Sequence, residues 1–192
     1  KSALVERDID LLAPMAEKNL VQVFLSVTSF DRELVRRMEP RAAAPQRRIE
    51  TISRLAQAGI PVGVMMAPII PGLNDEEIER IIATATEAGA QFAGYVMLRL
   101  PREVRDLFIE WLQTHYPLKL SRVMANMRDV RDGKESDANF GSRMRGVGQI
   151  AGLIKQRFAK SVRDNKLNLS RKDLSCDLFL PPEKSSAQLS LF

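Results

Sequence analysis

The sequence predicts an α/β fold with parallel strands, followed by a basic helical region. Three apolar segments of strand length, at residues 20–28, 60–70 and 91–100, each precede an amphipathic helical pattern. Near-continuous apolar strands that alternate with helices are typical of parallel sheets, whose two faces are both covered. The phrases AQAGIPV and TEAGAQF lie 30 residues apart and mark the same helix-to-strand joint twice.

The first unit follows an opening helical pattern at residues 7–19. Its strand, LVQVFLSVT (20–28), is rich in β-branched residues and is followed by an acid-led turn at Asp31. Residues 45–59 begin with a proline and end with a glycine. These residues suit the first turn of a helix and the position just after its end, so the segment is predicted to be helical.

The second and third units repeat this order. A helical pattern at residues 74–89 follows the second strand, and Asn74 or Asp75 is expected to cap that helix. Another pattern, at 101–116, follows the third strand. Three or four such units are too few to close a barrel of the usual eightfold form, and the first strand keeps a free edge. We therefore expect further strands upstream in the whole protein.

The pattern changes after the third unit. A glycine-punctuated stretch is predicted to begin with a short strand at 120–127, and residues 148–167 have the pattern of an amphipathic basic helix. The chain is thus expected to have three parts, which are a partial barrel (1–116), a basic extension with the amphipathic helix (117–168) and a flexible tail (169–192).

Positive charge is concentrated in the second half of the chain. Residues 1–100 contain 12 Lys or Arg and 13 Asp or Glu, whereas residues 101–192 contain 17 and 11. Within 139–172, nine basic residues accompany one acid. Such a stretch attracts phosphates, and the alternative is a solvated helix face. The candidates for contact with nucleic acid are Arg143, Arg145, Lys155 and Arg157.

Composition favours a cytoplasmic protein that does not enter membranes. No apolar run reaches the length of about eighteen residues that a membrane helix needs, and the first residues lack the order of a secretory signal. The single Cys176 forms neither an internal disulfide nor a multi-cysteine metal site. The single His115 stands near a helix end and is expected to be structural, so no metal site is predicted in this chain.

Polar residues occur where the predicted strands end. Ligands of parallel α/β sheets bind at the carboxyl ends of the strands, which selects the phrases SVTSFD, MAPIIPGLND and LRLP. Ser26 and Thr28 offer hydroxyl groups there, although hydroxyls at such positions are also common helix caps. Arg99 is a charge in an otherwise apolar strand and needs a partner or a ligand.

In this order, the phrases RDIDLL, VFLSVTSFD, MEPRAAAPQRRIETISRLAQAGIPVGVMMAPIIPGLND and LRLP resemble the radical S-adenosylmethionine (SAM) superfamily. The likeness covers residues 1–115 and is greatest to the branch related to spore photoproduct lyase, also described as DNA-repair-photolyase-like. It implies a partial (β/α)6 TIM-like barrel, of which this chain forms the C-terminal half.

The resemblance also implies cofactors. In the superfamily, a 4Fe-4S cluster held by a C-x-x-x-C-x-x-C loop reductively cleaves SAM to a 5′-deoxyadenosyl radical. This chain lacks those cysteines, so the cluster ligands are expected upstream and the chain alone is expected to be inactive.

Matching positions imply a set of contacts with SAM. By resemblance, Ser26, with Thr28 as second choice, contacts the ribose or methionyl part, Ala67 and its neighbour Met66 border the adenine, and Leu98 lies beside it. Arg99 then points to the substrate. The glycine-rich motif G-x-I-x-G-x-x-E of the fifth family strand is not reproduced here.

The function expected on this basis is that of a lyase-like radical SAM enzyme acting on DNA or another nucleic-acid-related substrate, with a reductant protein such as flavodoxin or ferredoxin. Two alternatives are a different TIM-barrel enzyme and a non-catalytic adaptor of the DNA machinery built on a barrel scaffold. A C-x-x-x-C-x-x-C motif upstream would favour the first function over both.

The chain ends on an apolar pentapeptide after a polar spacer. QLSLF resembles the short peptide by which bacterial polymerases and repair proteins bind the sliding clamp. Its apolar anchors would enter a pocket while the glutamine bonds at the edge. The alternative is a tail that folds back on its own domain. The predicted clamp contacts are Gln188, Leu189, Leu191 and Phe192.

Overall fold

The computed structural model describes residues 1–134, 140–169 and 173–181. The α/β class with parallel strands is confirmed. In chain order, the helices and strands of these ranges are α1 (Ile9–Glu17), β1 (Val23–Ser26), α2 (Arg32–Met38), α3 (Pro45–Gln57), β2 (Val62–Ile69), α4 (Ile78–Glu87), β3 (Phe92–Met97), α5 (Glu103–His115), α6 (Leu120–Asp129) and α7 (Gly148–Asp164). Three short 3-10 segments lie at Leu4–Asp8, Asp75–Glu77 and Pro117–Lys119.

The sheet has the order β1-β2-β3, and both pairings are parallel. Leu25 pairs with Val64, and Met65 pairs with Gly94. The register between β2 and β3 shifts between Met66 and Ile69. In the part of the chain that the structure describes, β1 pairs only with β2, so its other edge is free, as the pattern predicts.

Helices cover one face of the sheet. Val62, Val64 and Met66 of β2 are buried there in a core that includes Ile52 of α3 and Ile81 of α4. These residues alternate along β2 with smaller or half-buried ones, as the period of two in a strand requires. The helices therefore shield every second side chain of the strands from solvent.

The other face, here called the open face, consists of the residues of opposite parity, namely Phe24, Ser26, Gly63, Met65 and Gly94. The Phe24 side chain is 41% exposed. A Cβ atom on Gly63 would lie 2.9 Å from Cβ of Phe92, and one on Gly94 would lie 2.8 Å from the Met65 methyl group. The side chains of Phe24, Phe92 and Met65 thus occupy the space that larger residues at the two glycine positions would need.

The outer edge of β3 is closed by groups outside the sheet. The Asn168 side-chain amide accepts from Ala93 N (3.0 Å) and donates to Ala93 O (3.0 Å), as a neighbouring strand would. Met97 N donates to Met144 O (2.9 Å), and Arg145 Nη1 donates to Tyr95 O (3.1 Å). An edge blocked in this way is protected from pairing with another strand.

The repeated joint seen in the sequence is a repeated structure. Gly59 and Gly89 follow α3 and α4 with φ values of 75° and 98°, a conformation in which glycine is favoured at helix ends. A Cβ atom on Gly89 would lie 2.6 Å from Cβ of Ala56, so that joint also needs the small residue for packing. The predicted helix end at Gly59 is confirmed.

Two local predictions are wrong. The strand expected at 120–127 is helix α6, in which Val123, Met124 and Met127 are buried. Their spacing of three to four residues matches a helix, and Leu, Met and Ala are good helix formers. The turn at Asp31 begins a further helix, α2, because its carboxylate accepts from the backbone N–H groups of Glu33 (2.8 Å) and Leu34 (3.1 Å).

The basic helix predicted at 148–167 is confirmed as α7, which packs on α4 and α6. Ile154 and Phe158 form its buried side. Within the three described ranges, no helix is both long and apolar enough to span a lipid bilayer.

Candidate functional site

The ends of the three strands meet at one edge of the sheet, as their parallel direction requires. Val27 N donates to Met65 O (3.0 Å), and Leu98 N donates to Ile69 O (2.8 Å). These bonds continue the ladder beyond β1 and β3 and align the segments after the strands. The structure therefore brings Ser26, the end of β2 and Leu98 to a common carboxyl edge.

Ser26 is the last residue of β1 and lies on the open face, half-buried. Its carbonyl oxygen accepts from Nη1 of Arg48 (3.0 Å), which fixes the end of the strand. Its hydroxyl group has no hydrogen-bond partner among the described residues. Ser26 thus offers a fixed but unused polar group at the carboxyl edge.

Thr28 belongs to a buried ionic cluster below this edge. Its hydroxyl donates to Oε1 of Glu39 (2.7 Å), whose other oxygen accepts from Nη2 of Arg48 (2.7 Å). Arg48 is fully buried and also donates through Nε to the Ala43 carbonyl (2.7 Å). Lys1 completes the set by donating to the same carboxylate. The Thr28 hydroxyl is therefore engaged within the protein.

Glu39 carries its negative charge in this cluster. Burial on its own raises the pKa of a carboxyl group, but the hydrogen bonds from Lys1, Thr28 and Arg48 outweigh this and hold the pKa of Glu39 below its usual value of 4.5. A charged pair with further hydrogen bonds is the form in which ions are tolerated in protein interiors. The cluster thus anchors the end of β1 to α3.

Asn74 ties the loops after β1 and β2 together. Its fully buried side chain donates to the carbonyls of Thr28 (2.9 Å) and Pro68 (3.0 Å) and accepts from Ile70 N (2.7 Å). Asp75 accepts instead from Gly72 N (2.6 Å). The prediction that Asn74 or Asp75 caps the helix is therefore wrong, because both side chains fold back on the preceding loop.

A second bridge joins the loop after β1 to the turn before α4. The buried Ser29 hydroxyl donates to the Glu77 carboxylate and accepts from Asp31 N (2.9 Å). Phe30 N donates to the same carboxylate (2.9 Å). The polar groups of this loop are therefore satisfied by the protein itself.

The other residues expected to contact SAM differ in what they present. Met66 is 1% exposed and belongs to the helix-covered side, so its side chain is part of the core. Ala67 is half-buried at the end of β2. Leu98 is partly buried against the core, and its carbonyl accepts from Nη2 of Arg131 (2.6 Å). Arg99 is half-buried, and no described residue forms a hydrogen bond or an ion pair with it.

Arg157, a candidate for nucleic-acid contact, is paired inside the protein. Its guanidinium donates twice to the Glu79 carboxylate (2.9 and 2.7 Å) and lies 3.7 Å from an Asp75 carboxylate oxygen. The hydrogen bonds from Arg157 lower the pKa of Glu79. This ion pair joins α7 to α4, so most of the positive charge of Arg157 is already balanced.

The other three basic candidates are less balanced. Arg143 lies over the Phe140 ring at 3.6 Å, and Arg145 lies over the Tyr95 ring at 4.3 Å. Lys155 is exposed and has no ion pair or hydrogen bond with a described residue. These three cations line or flank the outer edge of β3 rather than the carboxyl edge of the sheet.

The cofactors implied by the resemblance fit unequally. The described residues contain no group of three His, Cys, Asp or Glu side chains arranged to hold a metal, and the single Cys176 is exposed. A 4Fe-4S cluster therefore does not fit the residues of this chain. SAM fits the open face better, because the Ser26 hydroxyl on that face has no hydrogen-bond partner among the described residues.

Comparison with known proteins agrees with the sequence motifs. Residues 2–85 match the Radical SAM superfamily. The match runs from the segment before α1 into α4 and so includes β1, β2 and the loops that Asn74 joins. The superfamily that the sequence motifs resemble is thus the one whose model residues 2–85 match.

Three proteins that are similar to this chain carry the description "uncharacterized protein". One from Mycobacterium tuberculosis is 33% identical over 124 residues, which are 64% of this chain and 36% of the relative. One from Acidianus two-tailed virus is 35% identical over 94 residues (46% and 31%). One from Methanocaldococcus jannaschii is 30% identical over 118 residues (61% and 42%).

The chain spans well under half the length of each of these relatives. The predicted clamp contacts at 188–192 lie outside the described residues. Glu39, Arg48 and Asn74 are not among the site residues that the sequence predicts. The only sign of Glu39 and Arg48 in the sequence is that each lies in a phrase by which the chain resembles the family, Glu39 in MEP and Arg48 in QRRIE.

Proposed function

We propose that this chain is the C-terminal part of the catalytic barrel of a radical SAM enzyme. The observation that carries the proposal is the superfamily match at residues 2–85, which includes the end of β1, where Ser26 presents an unused hydroxyl on the open face. The finer assignments to the (β/α)6 barrel and to the lyase-like branch related to spore photoproduct lyase are part of the same proposal.

In this proposal the residues of the chain hold and shield SAM. Ser26 binds a polar part of the cofactor, and the half-buried Ala67 and Leu98 border its apolar part. The Thr28–Glu39–Arg48 cluster and Asn74 fix the loops from which these residues project. A 4Fe-4S cluster held by residues outside this chain would supply the electron for reductive cleavage of SAM.

Exclusion of water supports the chemistry. A carbon-centred radical must abstract hydrogen only from its substrate, so the site needs apolar walls and few mobile polar groups. The hydroxyls and amides of Thr28, Ser29 and Asn74 are bonded within the protein, which leaves few polar groups at the carboxyl edge free to hold water. Arg99, which no described residue pairs, is the group that we assign to the substrate.

The proposed substrate is DNA or another nucleic-acid-related molecule. The concentration of positive charge after residue 139 supports this class. A partner with this charge dependence would bind less tightly as salt increases, because phosphate contacts release counterions.

The experiment is reconstitution of the whole protein with iron and sulfide under anaerobic conditions, followed by reduction in the presence of SAM. We expect 5′-deoxyadenosine to form. Its absence from a folded preparation that holds its cluster would overturn the radical SAM proposal. A whole-protein sequence without C-x-x-x-C-x-x-C would favour the non-catalytic adaptor or another TIM-barrel enzyme.

Two partners belong to the proposal on the sequence alone. A flavodoxin or a ferredoxin would supply the electron, and the sliding clamp would bind QLSLF at 188–192. A synthetic peptide of residues 183–192 is expected to bind purified clamp and to compete with a known clamp ligand. A lack of binding at high micromolar peptide concentration would rule out the clamp contact.

A further inference from the structure

A cavity of about 720 Å³ lies beside the outer edge of β3, away from the carboxyl edge of the sheet. We call it the β3-edge cavity. It is bounded by β3, by the glycine-rich loop before α7 and by one side of α7. The residues used below are Tyr95, Gly141, Arg145, Gly152, Lys155 and Phe158.

The charge of the β3-edge cavity is positive. Arg145 and Lys155 line it, and the described lining contains no carboxylate. Lys155 is exposed and forms no ion pair with a described residue, whereas Lys160, five residues further along α7, pairs with Asp164 (2.7 Å). The cavity thus retains a cation that no described residue balances, and it favours an anionic ligand.

Two glycines line parts of the cavity that no other described residue fills. A Cβ atom on Gly152 or Gly141 would meet nothing within 4 Å. Glycine inside a helix is less favourable than alanine, so Gly152 weakens α7 without allowing any close packing. By contrast, a Cβ on Gly148 would lie 2.8 Å from the Asp129 carbonyl oxygen. The vacant volume beside Gly152 is therefore room for something other than this chain.

Aromatic rings lie beneath and beside this space. Tyr95 and Phe158 are 4.7 Å apart between ring centroids, and the Arg145 guanidinium covers Tyr95. Phe140, next to Gly141, is 83% exposed and carries the Arg143 guanidinium on its ring at 3.6 Å. An exposed ring stacked with arginine beside a basic groove is a common surface for stacking nucleobases.

We propose that the β3-edge cavity binds single-stranded nucleic acid, with a phosphate at Arg145 and Lys155 and a base against Phe140 and Arg143. This inference deepens the proposed nucleic-acid-related substrate and rests on it. The nucleic acid would then lie on the outer side of β3, where α7 and the loop before it hold it. The carboxyl edge of the sheet would remain available for chemistry.

The test is fluorescence anisotropy of a labelled oligothymidylate of about 12 nucleotides with the whole protein. We expect binding at low salt that weakens as salt increases. Lys155→Gln is expected to weaken binding several-fold and to reduce the salt slope by about one. The matched control is Lys160→Gln, which makes the same charge change on the same helix outside the cavity and should bind as the wild type does.

A second pair of variants tests the space rather than the charge. Gly152→Leu should weaken binding by occupying part of the cavity, and Gly152→Ala should weaken it less. Circular dichroism identifies any variant that fails to fold, and Gly152→Ala serves if Gly152→Leu does not fold, because alanine favours the helix.

Several results would overturn the inference. They are no binding at low salt, equal losses in Lys155→Gln and Lys160→Gln, full binding by Gly152→Leu, or competition by thymidine monophosphate as effective as that by the oligonucleotide. SAM cleavage by the whole protein without oligonucleotide binding would refute this inference alone. Binding without SAM cleavage would refute the proposed function and leave the nucleic-acid site standing.

Discussion

The carboxyl edge of the sheet and the β3-edge cavity use polar residues in opposite ways. At the carboxyl edge, Thr28, Glu39, Arg48 and Asn74 bond to one another or to the backbone. In the β3-edge cavity, Lys155 has no described partner and Gly152 faces open space. The polar groups of the carboxyl edge hold the protein in shape, whereas the β3-edge cavity has a positive charge and an empty volume that a ligand can use.

This difference separates two roles that composition alone does not distinguish. A buried polar group must be satisfied, so a dense network identifies residues that position a site rather than contact a ligand. An unbalanced cation beside unused space is a better indicator of ligand contact. By this criterion we propose Ser26 and Lys155 as contact residues, whereas Thr28 and Arg157 are bonded within the protein.

The largest expected effect comes from breaking the buried cluster. Arg48→Ala leaves the Glu39 carboxylate without its fully buried cationic partner, and we expect it to lower the free energy of unfolding by about 3–5 kcal/mol. Urea denaturation measures this loss. The control Arg54→Ala removes an exposed partner of Glu6 and should cost less than about 1 kcal/mol. Equal costs would mean that the carboxyl edge is not held by its buried cluster.

A smaller loss is expected when the bridge between the loops is removed. Asn74→Ala deletes three hydrogen bonds and leaves the Ile70 N–H without an acceptor. This should lower the free energy of unfolding by about 1–3 kcal/mol. Hydrogen exchange should accelerate at Ile70 more than in α7. In the control, Asn165→Ala removes one bond to the Ser161 carbonyl at a helix end. An unchanged exchange rate at Ile70 would contradict the role assigned to Asn74.

The charge of Glu39 predicts a pH dependence. Because the pKa of Glu39 is lower in the folded state than its usual value of 4.5, its stabilising contribution is complete above about pH 4.5 and is lost as the pH falls through the folded-state pKa. Stability against urea should therefore decline in that range. Glu39→Gln should show a shallower decline, and the remainder should come from Glu6 and Glu79, whose pKa values are also lowered. A decline as steep as that of the wild type would contradict this.

The smallest expected change is a gain, and it comes from the other region. Gly152→Ala should raise the free energy of unfolding by up to about 1 kcal/mol, because alanine favours the helix and its methyl group meets no neighbour. The same variant should bind the oligonucleotide less tightly. A loss of stability on thermal unfolding would mean that the space beside Gly152 is needed by the fold.

The sequence predicts the regular parts of the fold well. The spacing of apolar residues and the positions of glycine and proline locate the three strands, α7 and the turn at Gly59. They do so because a buried face repeats at the helix or strand spacing. The prediction of a strand at 120–127 is wrong. Apolar residues there recur at the helix spacing of three to four and do not alternate, as Leu120, Val123, Met124 and Met127 show. Asp31 shows the limit of local signals, because the same residue starts either a turn or a helix.

The candidate site is less predictable for a physical reason. Motifs locate Ser26 and Thr28 at the end of β1, but only the fold shows that Thr28 donates to Glu39 whereas the Ser26 hydroxyl has no partner among the described residues. Similarly, Arg157 and Lys155 are equal charges in the sequence, and the partner of Arg157 lies 78 residues away in α4. Long-range pairing decides which groups remain available, and spacing along the chain does not contain that information.

The most direct test of the comparison is the dissociation constant of SAM for the whole protein, measured by equilibrium dialysis with the cluster in place. We expect Ser26→Ala to raise this constant several-fold. The matched control Ser53→Ala, on α3 outside the open face, should leave it unchanged. If the wild type does not bind SAM, or if Ser26→Ala binds it as tightly as the wild type, the carboxyl edge is not the cofactor site that we propose.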